Sequence, residues 1–309
     1  MAVNTAIEVV GIDWGTTHRR AYGLDSKGQC VAEHADGEGA LRCTGRFAES
    51  LQQLLQAMQA RPRAVLLSGM VGSALGWQVV PYVDASVPLA ALGPHLALAG
   101  GDSPPGPQAA SAWIVPGYCV RNAAGQPDVM RGEETQLLGA HCQGHGTGWF
   151  VLPGTHSKWV RLEGGQVAEL RTYMTGELFE LLGARGTLAA AAGTTDAAWD
   201  AQAFALGVQA AQVRGALSHQ LFACRARVVS GDMAASSSRS YLSGLLIGTE
   251  LQDVLRDAPT ATFKLIGSPA LATHYQAAAS LLGLQFEVLD ARAAFIAAIH
   301  HLLPYGTTP

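Results

Sequence analysis

Two short strings in this sequence carry the same residue types at the end of an apolar run: Asp13-Trp14-Gly15-Thr16-Thr17 and Pro153-Gly154-Thr155-His156-Ser157-Lys158. A Gly-Thr turn between two strands exposes successive backbone N–H groups and a hydroxyl, a donor set that suits phosphate oxygens. Asp13 closes the first run, and an unpaired carboxylate there is costly. It should therefore face a metal ion, water or a cation, or else cap the turn. Mg²⁺ suits the first case, since it keeps several waters and takes few protein carboxylates. Lys158 is placed to face phosphates, or else is an ordinary exposed strand lysine; His18 and His156 have no metal-ligand spacing and read as structural, or else, sitting in the hairpins, as phosphate contacts.

The two strings belong to a longer repeat. WGTTHRRAYGLDSKGQCVAE (14–33) lies over PGTHSKWVRLEGGQVAE (153–169), with Gly15-Thr16 on Gly154-Thr155 and a basic residue following in each, Arg19 and Lys158. The pattern reads either as two hairpins alike by chance or as a duplicated phosphate-binding hairpin, one per domain. Elements to hold such turns are easily found. Ala6 to Ile12, Ala64 to Leu67, Ala112 to Val115, Trp149 to Leu152, Ala226 to Val229, Thr262 to Ile266 and Gln285 to Leu289 read as strands. Arg20 to Leu24 and Gln29 to Glu33 read as a hairpin. Phe47 to Met58, Glu133 to Cys142, Tyr241 to Leu255, Ala270 to Leu282 and Ala291 to Leu303 read as helices, with an alanine-rich helical region over roughly 175–221. The class is α/β. The Pro/Gly/Ser-rich stretch at 100–107 reads as an exposed loop.

Composition bounds the possibilities. Only 14% of the 309 residues are charged and 49% are hydrophobic, against about 25% charged in an ordinary soluble domain, so the chain has ample material for two cores and is not a disordered one. A net charge of −4, with no Lys/Arg block, argues against nucleic acid as a partner. No apolar run reaches the length of a membrane span, and the N-terminal residues lack the basic region of a signal peptide. Cys30, Cys43, Cys119, Cys142 and Cys224 are scattered, with no CxxC; they read as reduced, mostly buried thiols of a cytoplasmic protein. The apolar content is compatible with a homodimer but cannot separate a subunit interface from a core.

IDWGTT (12–17) and LPGTHSKWV (152–160) resemble the phosphate-1 and phosphate-2 hairpins of the actin, hexokinase and heat-shock ATPase superfamily. Within it, IDWGTTHRRAY, SGMVGSALGWQVVPY (68–82), IVPGYCV (114–120), MRGEETQLLGA (130–140), PGTHSKWV, MTGELFELL (174–182) and YLSGLLIGTE (241–250) resemble, in order and over almost the whole chain, the 2-dehydro-3-deoxygalactonokinase family. The resemblance implies two ribonuclease H-like (actin-like ATPase) domains, 1–142 and 143–309, with a nucleotide cleft between them. The last helix blurs that boundary if it packs back onto the first domain. It further implies ATP-dependent phosphorylation of 2-dehydro-3-deoxy-D-galactonate at the 6-hydroxyl, a step of galactonate catabolism, with ATP and Mg²⁺ as cofactors.

The site residues follow from the same resemblance. Asp13 would hold the metal, while Gly15, Thr16, Thr17, Gly154, Thr155, His156, Ser157 and Lys158 would line the phosphates. Gly267 and Ser268 take the place of the adenosine turn, with Gly-Ser where many relatives carry Gly-Gly. A carboxylate must receive the acceptor hydroxyl's proton as the O–P bond forms, and Gly132-Glu133 stands where related sugar kinases carry Gly-Asp. Glu133 is thus the expected base and Glu134 its competitor, although two Glu at a helix start also simply suit the helix dipole. For the sugar acid, Arg20 aligns with the family's carboxylate-binding arginine, and Arg19 reads as a solvent-exposed hairpin arginine. Gly69, Met70, Val71, Gly72 and Ser73 form a turn whose amides can approach the ligand closely. Trp77 is either an apolar wall or a core aromatic, and Arg131 either holds substrate or pairs with Glu134. Alternatives are a kinase for another 2-keto-3-deoxy acid or a hexose, and a phosphohydrolase of the same superfamily, against which the low Lys+Arg count weighs. A sugar-acid sensor is a further alternative, but too few residues precede Asp13 for a helix-turn-helix.

Overall fold

The structure, a computed structural model, describes residues 7–100, 110–191, 198–213, 215–258 and 262–306. Most of the loop expected at 100–107 lies outside them. In chain order the first elements are β1 (Val9–Trp14), β2 (Arg19–Leu24), β3 (Cys30–Asp36), α1 (Ala40–Cys43), α2 (Phe47–Ala57), β4 (Ala64–Gly69), β5 (Val83–Asp84), β6 (Ala97–Leu98), β7 (Ser111–Ile114), β8 (Tyr118–Arg121), β9 (Pro127–Met130) and α3 (Glu133–Cys142). They are followed by β10 (Gly148–Leu152), β11 (Ser157–Glu163), β12 (Gln166–Tyr173), α4 (Thr175–Ala184), α5 (Gly186–Ala191), α6 (Ala201–Ala211), α7 (Leu217–Val229), α8 (Ser238–Asp257), β13 (Phe263–Ile266), α9 (Pro269–Leu281), β14 (Phe286–Leu289) and α10 (Ala291–Gly306).

Two compact units emerge: Met1–Thr147 with Val160–Leu170 and Asp290–Pro309, and Gly148–Trp159 with Arg171–Leu289. One sheet runs β3-β2-β1-β4-β7-β6, another β12-β11-β10-β13-β14, and a small third β5-β8-β9. The first two share an order over five strands: three consecutive strands, then two added on the far side of the first of them, with β6 as a sixth, edge strand in the first sheet. In the first, β1 to β3 pair antiparallel and β4 and β7 join parallel; in the second, β13 and β14 also add parallel to β10. A repeated sheet order around each Gly-Thr turn is what duplication produces and chance similarity of a hairpin does not.

Strands buried on both faces read as continuous apolar runs, which is why β1 (VVGIDW) and β4 (AVLLSG) stand out in the sequence. In the first unit Ile12, Trp14, Phe47, Leu54, Val65 and Leu67 share one core. In the second, Trp149, Trp159, Phe204, Leu251, Phe263 and Tyr275 form another. Helix α10 packs on α3 so closely that Gly139 has no room for a side chain: a Cβ there would lie 1.6 Å from the Ala294 carbonyl oxygen.

Three expectations are corrected. Ala226 to Val229 is the last turn of helix α7 and not a strand. Four residues are too few for periodicity to decide; Cys224 of the same helix is buried, Arg227 lies over the Tyr241 ring, and Val229 faces outward. Arg19 is buried, at 3% exposure, and its guanidinium bonds the Asp36 carboxylate at 2.9 Å and the Ser50 hydroxyl at 2.9 Å. Among the five thiols only Cys43 and Cys224 are buried, and Cys142 is exposed. Strands β8 and β9, at four residues each, were not legible in the sequence. No described helix is long and apolar enough to cross a membrane.

Candidate active site

In the first unit the turn after β1 is clamped by the start of α1. Ala40 N–H donates to the Gly15 carbonyl at 2.9 Å and Leu41 N–H to that of Thr16 at 3.2 Å. In a trans peptide the C=O and the following N–H point oppositely, so the N–H groups of Thr16 and Thr17 are turned away from the helix. Thr17 and His18 are joined by a side-chain hydrogen bond of 2.9 Å at the exposed rim. Asp13 stands opposite Arg20 in the β1–β2 ladder. Burial raises the Asp13 acid above its ordinary value, and the Arg20 charge opposes that rise. Arg20 is exposed. Among the described residues nothing donates a hydrogen bond to the Asp13 carboxylate, and no cluster of three or more potential ligands stands ready for a metal. One desolvated carboxylate is nevertheless the donor set Mg²⁺ takes when phosphates and waters supply the rest.

Beyond Asp13 the backbone is stacked tightly. Gly69, at φ 94°, lies against Trp14, where a Cβ would be 2.7 Å from the Trp14 carbonyl oxygen; Gly132, at φ 109°, lies against Gly69 in turn, a Cβ there meeting its Cα at 3.2 Å. Only glycine takes both conformations without strain, and the stacking carries the start of α3 to the ends of β1 and β4. Ser68 and Thr135 hydroxyls join β4 to α3 at 2.6 Å. The Gly69–Ser73 turn presents half-buried Met70 and Ser73, whereas Val71 is fully buried in the core. Trp77 packs on that core and stacks on Phe47 with rings 14° from parallel.

The paired glutamates at the start of α3 have opposite environments. Glu133 is half-buried, its Oε2 accepting from Arg131 N–H at 3.0 Å; Glu134 is wholly buried, accepting from Gly132 N–H at 2.7 Å and the Thr135 hydroxyl at 3.3 Å. Burial, reinforced by the Glu133 charge, pushes the Glu134 acid up to about 8. Near neutral pH the Glu134 carboxyl therefore keeps its proton. The folded chain thus holds a proton that the unfolded chain releases near 4.5; the stability tied to it is complete below that value and is lost as pH climbs through about 8. Glu134→Gln keeps the neutral shape, so its melting temperature should fall less than that of the wild type from about pH 5 to pH 8.5. Parallel curves would show that Glu134 is ionised throughout.

Arg131 does not pair with Glu134. Its NH2 donates to the Val80 carbonyl at 2.6 Å and its guanidinium lies 4.3 Å over the Tyr82 ring. Nε and NH1 are buried without a hydrogen-bond partner among the described residues, a costly state unless a ligand supplies acceptors. Gly72 makes room for it, a Cβ there meeting NH1 at 2.7 Å.

The second unit holds its turn by the same device. Glu177 N–H donates to the Thr155 carbonyl at 2.9 Å, and Gly176 lies where a Cβ would be 2.3 Å from the Gly154 carbonyl oxygen. The His156 ring meets the Glu177 carboxylate at 2.6 Å at the exposed rim. Lys158 is 6% exposed and bonds the Thr172 hydroxyl at 2.9 Å, so it is no ordinary surface lysine. Gly267 lies against Pro153, and the Ser268 hydroxyl caps α9 by accepting from Leu271 N–H at 3.4 Å.

The chain is similar to known proteins over nearly its whole length. The family model described as 2-keto-3-deoxy-galactonokinase matches residues 13–302. The chain belongs to the 2-keto-3-deoxy-galactonokinase family. It is 33% identical over 296 residues to the 2-dehydro-3-deoxygalactonokinase of Escherichia coli (strain K12), covering 95% of this chain and 96% of that one. It is 34% identical to a Rhizobium meliloti (strain 1021) protein named a probable 2-dehydro-3-deoxygalactonokinase, over 98% of this chain and all of that one. A crystal structure from Sinorhizobium meliloti, assigned the same activity, superposes with a TM-score of 0.86 at 32% identity, covering 96% of this chain and 95% of that one. The family is one of carbohydrate kinases, and the architecture is α/β with the same five-strand order in its two large sheets.

For this member of the galactonokinase family, the clamps on the two turns went unread in the sequence although a signal existed. Gly28 and Gly165 of the repeat stand 137 residues apart, and so do Gly39 and Gly176. Gly39 lies against Thr16 and Thr17 as Gly176 lies against Gly154 and Thr155. The duplication therefore runs on into Gly39-Ala40-Leu41 and Gly176-Glu177-Leu178. The buried Glu250 is the last residue of the YLSGLLIGTE motif, a signal that marks the position without a role.

Proposed function

We propose that the chain transfers the γ-phosphoryl group of ATP to the 6-hydroxyl of 2-dehydro-3-deoxy-D-galactonate in galactonate catabolism, with the sugar-acid site on residues 1–142 and the nucleotide site on 143–309. The single observation that carries the chemistry is the split between the glutamates at the start of α3: an accessible Glu133 beside a buried Glu134 whose acid is pushed up to about 8. At neutral pH Glu134 keeps its proton and cannot accept another. Glu133 then takes the proton of the sugar hydroxyl as its oxygen bonds to phosphorus and ADP departs. Arg131, with two buried N–H-bearing nitrogens lacking hydrogen-bond partners among the described residues, supplies donors for the sugar acid's carboxylate, and exposed Arg20 supplies a second cation. The Gly15–Thr17 and Gly154–Lys158 turns offer N–H groups to phosphates, with Gly267 and Ser268 nearest the adenosine. Mg²⁺ held through Asp13 would neutralise charge on the phosphates. The same reading places the protein in the cytoplasm, with a small sugar acid and ATP as partners, without nucleic acid or membrane, and as a monomer or homodimer.

The test is ATP consumption coupled to product mass against a panel of 2-keto-3-deoxy acids, neutral hexoses and water. Phosphorylation of a hexose in preference to the acids, or hydrolysis alone, would sink the assignment. Arg131→Met should raise KM for the sugar acid by about 10- to 100-fold, the worth of hydrogen bonds to a charged group, while KM for ATP stays within about twofold. Arg20→Ala should act in the same direction. Equal effects on both KM values would move either arginine to the phosphates.

A further inference from the structure

Helix α8 carries a carboxylate in the interior of the second unit. Glu250 is 1% exposed, and side chains from three other elements converge on it. From β11, the Ser157 hydroxyl and the Trp159 indole N–H donate to Oε1 at 2.7 and 2.5 Å. The Thr175 hydroxyl at the start of α4 donates to Oε2 at 2.5 Å. From α9, the Tyr275 hydroxyl lies 3.0 and 2.9 Å from the two oxygens and 3.1 Å from the Ser157 hydroxyl. An ionised carboxylate is an acceptor only, with about four lone-pair sites, and the four donors here are neutral groups that fill them. Burial raises the Glu250 acid while these donors lower it.

An apolar side chain filling the same space would be no less stable in principle, because desolvating a charge is costly. What the carboxylate provides is placement. Ser157 closes the Gly154–Lys158 turn at its β11 end. Thr175 precedes Gly176 and Glu177, whose backbone clamps the Gly154–Thr155 peptide from the other side. One acceptor therefore holds both the stem of the turn and the helix start that fixes its peptide planes.

We propose that Glu250 is a positioning residue for the nucleotide: without touching ATP, it sets the orientation in which the Thr155–Ser157 segment presents its donors to phosphate. This rests on the kinase reading above. Positioning of this kind is lost steeply when the supporting shell loosens.

The test uses the full-length protein, with ADP and ATP binding followed by calorimetry and KM for ATP and sugar acid measured separately. Glu250→Gln keeps the shape but sets two N–H donors against a ring of donors. It should weaken ATP binding at least tenfold and raise KM for ATP in parallel, while KM for the sugar acid stays within twofold. Thr175→Val, which cuts one link, should move ATP affinity the same way by a smaller factor and carries the test if Glu250→Gln does not fold. A lower melting temperature with unchanged ATP affinity in the folded variants would overturn the inference and leave the kinase reading intact. A wild type that binds ATP but phosphorylates no acid would overturn the kinase reading while the binding measurements still decide the role of Glu250; a wild type that binds no ATP would overturn both.

Discussion

Glu133→Gln is expected to lower kcat by about two to four powers of ten, the range of general acid–base catalysis, with KM for ATP within about twofold. Glutamine retains the size of the side chain and can still accept from Arg131 N–H, so the start of α3 should stay in place and only the proton acceptor is lost. Glu134→Gln is the control. A residue already neutral near pH 7 loses nothing as a base when it becomes an amide, and turnover should stay within about tenfold of the wild type. The reverse outcome, a large loss at Glu134 and a small one at Glu133, would transfer the base role to the buried carboxyl. The distinction depends on burial alone, since the two glutamates are adjacent on one helix turn and equivalent in composition.

The second large effect is structural. Gly139→Ala in an exposed helix would stabilise by about 1 kcal/mol through helix propensity. At this position the added Cβ would sit 1.6 Å from the Ala294 carbonyl oxygen, backbone that cannot rotate aside. Helices α3 and α10 must separate, so the expected change has the opposite sign and a size at or above the about 1–3 kcal/mol of ordinary overpacking. In a chain of this size that is a fall of several degrees or more in melting temperature. Because α3 carries Glu133 at its start, folded Gly139→Ala protein should also lose turnover. A raised melting temperature would show that the two helices do not pack as described.

Much of the site's inventory was legible because its signals are local. Asp13 and the Gly-Thr turns announce themselves by residue type at the edge of an apolar run, Gly132-Glu133 only by the family resemblance, and β1, β4, α2 and α3 are long or apolar enough for pattern to locate them. Other features were not local. Arg19 and Arg20 are neighbours of identical composition, yet alternation along β2 points one into the Asp36–Ser50 pocket and the other outward; hairpin register alone decides which. The run ARVV at 226–229 has a strand's composition and a helix's position, and the packing of α7 on Tyr241 settles it. Glu250 closes the YLSGLLIGTE motif, yet its place in that string assigns it no role. Its role depends on Ser157, Thr175 and Tyr275, which lie 93, 75 and 25 residues away in the chain.

The amino-acid sequence by itself determined that this is an α/β chain with a repeated Gly-Thr hairpin, that it belongs among sugar-acid kinases, and which twenty-one positions are candidates for the chemistry. These are properties of residue types in order, and the strength of seven ordered motifs does not depend on where each side chain points. Only the tertiary structure decided which member of each adjacent pair is accessible, Glu133 over Glu134 and Arg20 over Arg19. It also showed that Arg131 is left with donors unmet among the described residues, and that buried groups far along the chain hold the turns in shape. Protonation, exposure and hydrogen-bond satisfaction are set by burial and by partners distant in sequence, and these exist only once the chain has folded.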